Sequence, residues 1–467
     1  MAAKPTTGNA RLLVVISIVA VTLSSLSLAA SSAPSRSREP REASLEAVRA
    51  GYYLAADARL RPLAELDASL YTHLYYYALA VHPVRRTLLL PAEPGQVRLL
   101  ATFSRTVKAK NRGVKTLLSV GTAGGAAAAA GSGSDPAFAA MAADPASWAE
   151  FVEAAVALAR ENGFDGLDVA WRFPASAVEM AEFGFLVAEW RAAVPPGFLL
   201  TATVYFSNHV FDAPFAGVDY PSDSVARNLD WVNVMAFGLR PASANVTAFD
   251  APLYDRASHY SASYGVVSWL DAGVPASKVV MGLPLYGRSW FLRNKANNGV
   301  GAPAVSSGPK QRGSNATGAM SYAEVQWLAA TRTSSAVITA YDNASVASYV
   351  SAGDVWVAFD GVAVVAEKLA FAAHCGLLGY FLWPVNYDDA NLTVSRRASQ
   401  AWTQSKISPD LRNITGARQT QAPVQLPPAL QSPAPTAPTS ASFSWLSWRT
   451  LDVRLHLGAL LLVLHQL

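Results

Sequence analysis

Cysteine is almost absent from this chain of 467 residues; Cys375 is the only one. No intrachain disulfide can form and no cysteine-based zinc site can be assembled. In the apolar run 372–378 the thiol reads as buried and inert. Charge is scarce as well. Asp, Glu, Lys and Arg make up 15% of the residues against 51% hydrophobic, where an average soluble domain carries roughly 25% charged residues. That balance excludes a disordered chain of high charge and low hydrophobicity. The formal charge of +4 owes most of its excess to Lys4, Arg11, Arg449 and Arg454, offset by Asp452, in terminal segments that read as removable. A basic patch for nucleic acid is therefore not expected on the folded part. No fixed-period repeat is visible.

Residues 1–30 open with Lys4 and Arg11, run through the apolar stretch 12–21 and end in small residues, the pattern of a secretory signal peptide. At the other end, 406–440 is rich in Pro, Ala, Gln and Ser and reads as an extended linker. Residues 441–467 place small residues, a spacer with Arg449 and Arg454, and an apolar tail in the order of a glycosylphosphatidylinositol attachment signal. The tail 455–467 is too short to span a bilayer as a helix by itself. Secretion and a membrane tether through this tail are the expectations. Asn-x-Ser/Thr sequons at Asn245, Asn315, Asn343, Asn391 and Asn413 permit glycosylation of a secreted chain.

Between these ends, 44–405 alternates short β-branched and aromatic runs with longer helical patterns, which predicts a parallel α/β architecture. Eight strands are expected at 49–53, 73–79, 114–120, 166–171, 199–205, 231–237, 279–283 and 377–383, the number that closes a (β/α)8 barrel. Ser147 and Glu150 form a capping pattern ahead of the apolar face Trp148, Phe151, Val152 and Ala155, and Gly163 ends that helix. The Ala/Gly stretch 122–134 reads as a loop. About 90 residues separate the seventh and eighth strands, roughly twice what one helix and two loops need, so an α+β insertion is expected at about 289–352.

On the fourth strand a period of two puts Asp168, Ala170 and Arg172 on the inward face and Leu167, Val169 and Trp171 toward the helices. The stretch 163–174, Gly-Phe-Asp-Gly-Leu-Asp-Val-Ala-Trp-Arg-Phe-Pro, resembles the catalytic strand of family-18 glycoside hydrolases, Asp-x-x-Asp-x-Asp-x-Glu. Segments at 50–53, 71–74, 114–121, 229–236, 281–287 and 376–383 are similar, in the same order, to the plant class V chitinases. The resemblance spans about 48–402. It implies a (β/α)8 barrel with an insertion lobe and a groove for β-1,4-linked N-acetylglucosamine, with no metal or cofactor.

In that family the last Glu of the motif protonates the glycosidic oxygen while the substrate acetamide attacks the anomeric carbon. The middle Asp and a Tyr-Asp pair after the sixth strand orient the acetamide. Aligned to this pattern, the Glu position is Arg172, the middle Asp position is Ala170, and the Tyr-Asp pair is Phe237-Gly238. A guanidinium gives up no proton at neutral pH, and its charge opposes an oxocarbenium-like transition state. The resemblance thus implies a chitinase-like protein without chitin hydrolysis, one that binds chitin-type oligosaccharide or a related glycan.

Asp165 and Asp168 are retained. The expectation for Asp168 is a buried carboxylate in charge-assisted contact with Arg172. Aromatic faces bury the apolar side of a pyranose. The sugar-contact candidates are Trp383, which matches the family's floor beneath the central sugar, with Met235, Phe237, Tyr286, Arg288, Trp290 and Tyr53; Tyr75 and Phe381 are expected to be ordinary core. Ala78 stands at a position that is usually aromatic in the family, next to Tyr76 and Tyr77. Two other classes are open: a glycosidase that uses another carboxylate, Glu179, Asp388 or Asp389, and a protein-binding inhibitor of another hydrolase.

Overall fold

The computed structural model describes residues 47–121, 135–211, 217–240, 245–312, 316–331 and 337–407. The expectations for 1–30, 122–134, 441–467, Asn315, Asn413 and nearly all of 406–440 lie outside these residues. Eight parallel strands form the centre: β1 (Val48–Leu54), β2 (His73–Val81), β3 (Lys115–Gly121), β4 (Gly166–Ala170), β5 (Leu199–Val204), β6 (Trp231–Val234), β7 (Val279–Pro284) and β8 (Gly379–Trp383). Each pairs with the next in the chain, and β8 pairs with β1 through Val48↔Gly379 to Gly51↔Leu382, which closes a (β/α)8 barrel.

All eight expected strands are present, with ends displaced by a few residues. β8 starts at Gly379 because Leu378 still donates its N–H to the Ala276 and Val279 carbonyls. Gly379 is required there, since a Cβ would lie 1.8 Å from the Val48 carbonyl oxygen.

Alternation along the strands builds two layers of core. Trp171 points outward and stacks on Phe138, with ring centroids 5.0 Å apart. The helix Pro145–Glu161 buries Trp148, Phe151, Val152 and Ala155 as expected. Its cap, however, is Asp144, whose side chain accepts from the Ala146 N–H, and Pro145 opens the first turn. Asp followed by Pro is a stronger start signal than Ser147, because proline has no N–H to leave unpaired and its φ is already helical. Ser147 instead donates its hydroxyl to Asp144. Cys375 is only partly buried, packed against the main core, and burial pushes its thiol up to about 11, so it stays protonated.

The insertion between β7 and β8 is a six-stranded antiparallel sheet with the helix Tyr322–Thr331. It is wider than the expected 289–352, since its strands run from Tyr286–Leu292 to Val355–Phe359. Only Leu285 separates β7 from the first of them. Tyr286 and Arg288 therefore stand on the lobe rather than on the barrel wall.

Candidate functional site

Deep in the barrel, Asp168 is completely buried. Ser119, Thr203 and Tyr52 donate hydroxyls to its Oδ2 at 2.9, 2.9 and 3.2 Å, and Thr201 donates to Oδ1 at 2.8 Å. The Asn233 amide reaches Oδ1 at 3.4 Å. Loss of hydration holds the Asp168 carboxyl above the usual range even though these hydroxyls favour its charged form. The expected pairing with Arg172 is not made: five neutral donors from four strands satisfy Asp168, and the guanidinium lies elsewhere.

Arg172 sits two residues past the end of β4, and it is only 3% exposed. Its Cζ lies 5.4 Å from the ring centroid of Tyr77 and 5.6 Å from that of Trp383. Trp383, at the end of β8, is fully buried and packs edge-on against Tyr77 at 4.7 Å, tilted against Tyr52 at 5.1 Å and more nearly parallel to Phe237 at 6.2 Å. The peptide bonds that follow Tyr77, Arg172 and Trp383 are all cis. Gly282 makes room for the aromatic packing, because a Cβ there would approach the Phe381 and Phe237 rings at 2.5 and 2.6 Å.

A second group faces this one from the lobe. Asp250 accepts from the Tyr286 hydroxyl at 3.2 Å, from Arg288 Nε at 3.4 Å and from the Gly238 N–H at 3.2 Å. Gly238 has φ +72, a turn that a side chain would strain. Tyr286 and Arg288 are buried to 2% and 1% exposure. Burial, reinforced by the Asp250 charge, pushes the Tyr286 hydroxyl well above its ordinary value, so it remains a donor. Arg172 is near enough for its charge to act on the Tyr286 hydroxyl. Arg172, Trp383, Phe237, Tyr286 and Arg288 thus converge on one buried polar and aromatic region at the C-terminal ends of the strands. Met235, 2% exposed, follows β6 just before Phe237.

Two sugar-contact expectations are corrected. Tyr53 faces the helix layer: its ring packs against Phe103 and its hydroxyl donates to the Arg61 carbonyl at 2.8 Å. Strand alternation assigns the inward position to Tyr52 instead, and Tyr52 stacks on Tyr75 with centroids 4.2 Å apart. Trp290 is buried inside the lobe against Trp356 and contributes to the lobe's own core. Tyr75 and Phe381 are core, as expected. Beside Ala78, Tyr77 is the ring that enters the mouth, while Tyr76 packs outward on Phe103.

The retained acids do not form one network. Asp165 lies at the opposite end of β4, bound to Lys108 at 2.7 Å and to the Thr116 N–H. The alternative carboxylates are engaged at helix starts. Glu179 accepts from the Ala175 N–H, and its own N–H donates to Ser176 Oγ. Asp388 accepts from Ser395 N–H and Oγ, and Asp389 from Thr393 N–H and Oγ1. Sequence reasoning missed Asp250, which belongs to no motif and reaches the mouth from a loop after β6; its signal is only that the buried Arg288 needs a counter-charge.

The family model "Glycosyl hydrolases family 18" matches residues 48–388. Class V chitinase CHIT5b of Medicago truncatula is 37% identical over 352 residues, covering 73% of this chain and 87% of that protein. The GH18 chitinase of Cycas revoluta, solved in complex with (GlcNAc)3, superposes with a TM-score of 0.68 at 35% identity, covering 76% of this chain and all of that one. A chitinase-like agglutinin from Robinia pseudoacacia is similar at 33% identity and TM-score 0.65, over 76% of this chain and all of the agglutinin. By sequence and by fold, this chain belongs to glycosyl hydrolase family 18.

Proposed function

We propose that this chain is a secreted chitinase-like protein that holds chitin-type N-acetylglucosamine oligosaccharides, or a related glycan, at the barrel mouth without cleaving them. One observation carries the reading: the inward position beyond β4 that must supply the proton donor holds Arg172, and its neighbour on the same face is Ala170, which has no ionisable group. Lack of a general acid forfeits about 10²- to 10⁴-fold in rate, before any loss of acetamide orientation. The cation also opposes positive charge developing on the sugar.

The engaged state of Glu179, Asp388 and Asp389 speaks against a relocated acid. The aromatic lining and the likeness to a chitinase-like agglutinin support a lectin-like role over a protein-binding inhibitor. Secretion and tethering rest on residues 1–30 and 441–467; exposed Asn245, Asn343 and Asn391 suit glycosylation in that compartment. The test is calorimetric titration of the purified chain with chitotetraose alongside a turnover assay. Saturable binding without product supports the reading; turnover of the sugar, or capture of a foreign hydrolase with no glycan affinity, sinks it.

A further inference from the structure

We propose that Arg172 is an internal occupant of the central glycan position: its guanidinium takes the aromatic box of Tyr77 and Trp383, and a saccharide enters only when Arg172 swings out. The inference rests on the glycan-binding reading and makes Arg172 the residue that sets affinity and specificity at this site.

Three observations point to it. First, the box is a buried aromatic cluster, with Tyr52, Tyr77, Phe237 and Trp383 within 4.7 to 6.2 Å of one another in successive ring pairs. Such faces accept either the apolar side of a pyranose or a cation, but not both at once. Second, the cation is already there. Arg172 Cζ lies over both the Tyr77 and the Trp383 rings, and neither ring is more than 2% exposed. Third, two buried donors stand ready beside it. Among the described residues, the Trp383 indole N–H and Arg288 Nη2 have no hydrogen-bond partner. A buried donor without an acceptor costs free energy, and the hydroxyl and acetamide oxygens of a sugar would supply the acceptors.

The plug sits at the edge of the sheet. Arg172 lies outside β4, in a segment, 171–175, with no regular backbone pairing. Its charge is not paired with Asp168, whose acceptors are filled by Tyr52, Ser119, Thr201, Thr203 and Asn233. An arginine side chain has enough rotatable bonds to leave the box while β4 stays fixed. Glycan binding then competes with the guanidinium for the same rings, and affinity is reduced to its intrinsic value times the fraction of molecules in which Arg172 is out.

Chitotetraose titrated calorimetrically into the full chain, its Arg172→Ala variant and its Arg172→Leu variant tests this, with cooperative thermal melting as the check that each is folded. Removing the occupant should tighten binding about 10-fold, the worth of a desolvated cation–π contact. The Leu variant guards against an Ala variant that does not fold. A folded variant that binds no more tightly than the parent, or more weakly, overturns the plug and leaves the glycan-binding reading intact provided the parent binds. Failure of parent and variants alike overturns both.

Discussion

The guanidinium of Arg172 lies over the indole of Trp383, with Cζ 5.6 Å from the ring centroid. On the proposed reading, this cation and this aromatic ring share the place where a family-18 hydrolase needs an acid above a sugar. The consequences for activity and stability can be separated by substitution.

Restoring one acid should not restore hydrolysis. Arg172→Glu supplies the carboxyl but leaves Ala170, Phe237 and Gly238 unable to orient an acetamide. Chitotetraose turnover of the variant is expected to stay at least about 10²-fold below that of an active relative assayed in parallel. Comparable rates would show that the lost orienting groups matter less than argued.

Asp250 should prove a structural anchor of the mouth. Its carboxylate is the counter-charge of Arg288, which is 1% exposed, and it also holds the Tyr286 hydroxyl and the Gly238 N–H. Asp250→Ala strands a buried cation and should cost about 3–5 kcal/mol in denaturant unfolding. Arg288→Met in the same background should return part of that loss, since the orphaned charge is then gone. A cost under about 1 kcal/mol for Asp250→Ala would contradict the assignment.

The barrel centre should carry a pH signature. The folded-state carboxyl of Asp168 is raised above its ordinary value of 3.8, chiefly by burial. The native state therefore keeps the proton where the unfolded chain has released it, and this part of the stability is lost as pH rises from about 4 through the raised value. Asp168→Asn removes that dependence. Its melting temperature relative to the parent should climb with pH across that window and level off above it; a constant difference would refute the buried-acid account.

Asp388 should be a cap and no acid. Its carboxylate binds Ser395 N–H and Oγ at the start of the helix Thr393–Ile407. Asp388→Asn, which keeps an acceptor, should lower stability by about 1–2 kcal/mol while glycan affinity in titration stays unchanged. A change in affinity with no change in melting would reassign it to the site.

The barrel was legible because each strand is a short apolar run bounded by turn residues, and β-sheet alternation fixed which of Asp168, Ala170, Arg172 and Trp383 face inward. The same rule places Tyr52, not Tyr53, inside. Tyr77 was ambiguous because the register of β2 against β3 shifts between Tyr76 and Leu79, which no periodicity reveals. The partner of Asp168 could not be read either: a carboxylate and an arginine two inward steps apart suggest an ion pair, but hydroxyls from β1, β3 and β5 converge on the barrel axis and only the closed fold brings them together. Asp250 was invisible for a related reason, since 38 residues separate it from Arg288 and a loop delivers it.

The central claim is that a permanent cation has replaced the proton donor. The most direct measurement is release of short sugars from chitohexaose by the purified chain at stoichiometric concentration, followed by mass spectrometry over long incubation beside an active plant class V chitinase. The account predicts intact hexamer; a product series accumulating at the relative's pace would contradict it and require an acid elsewhere in the barrel.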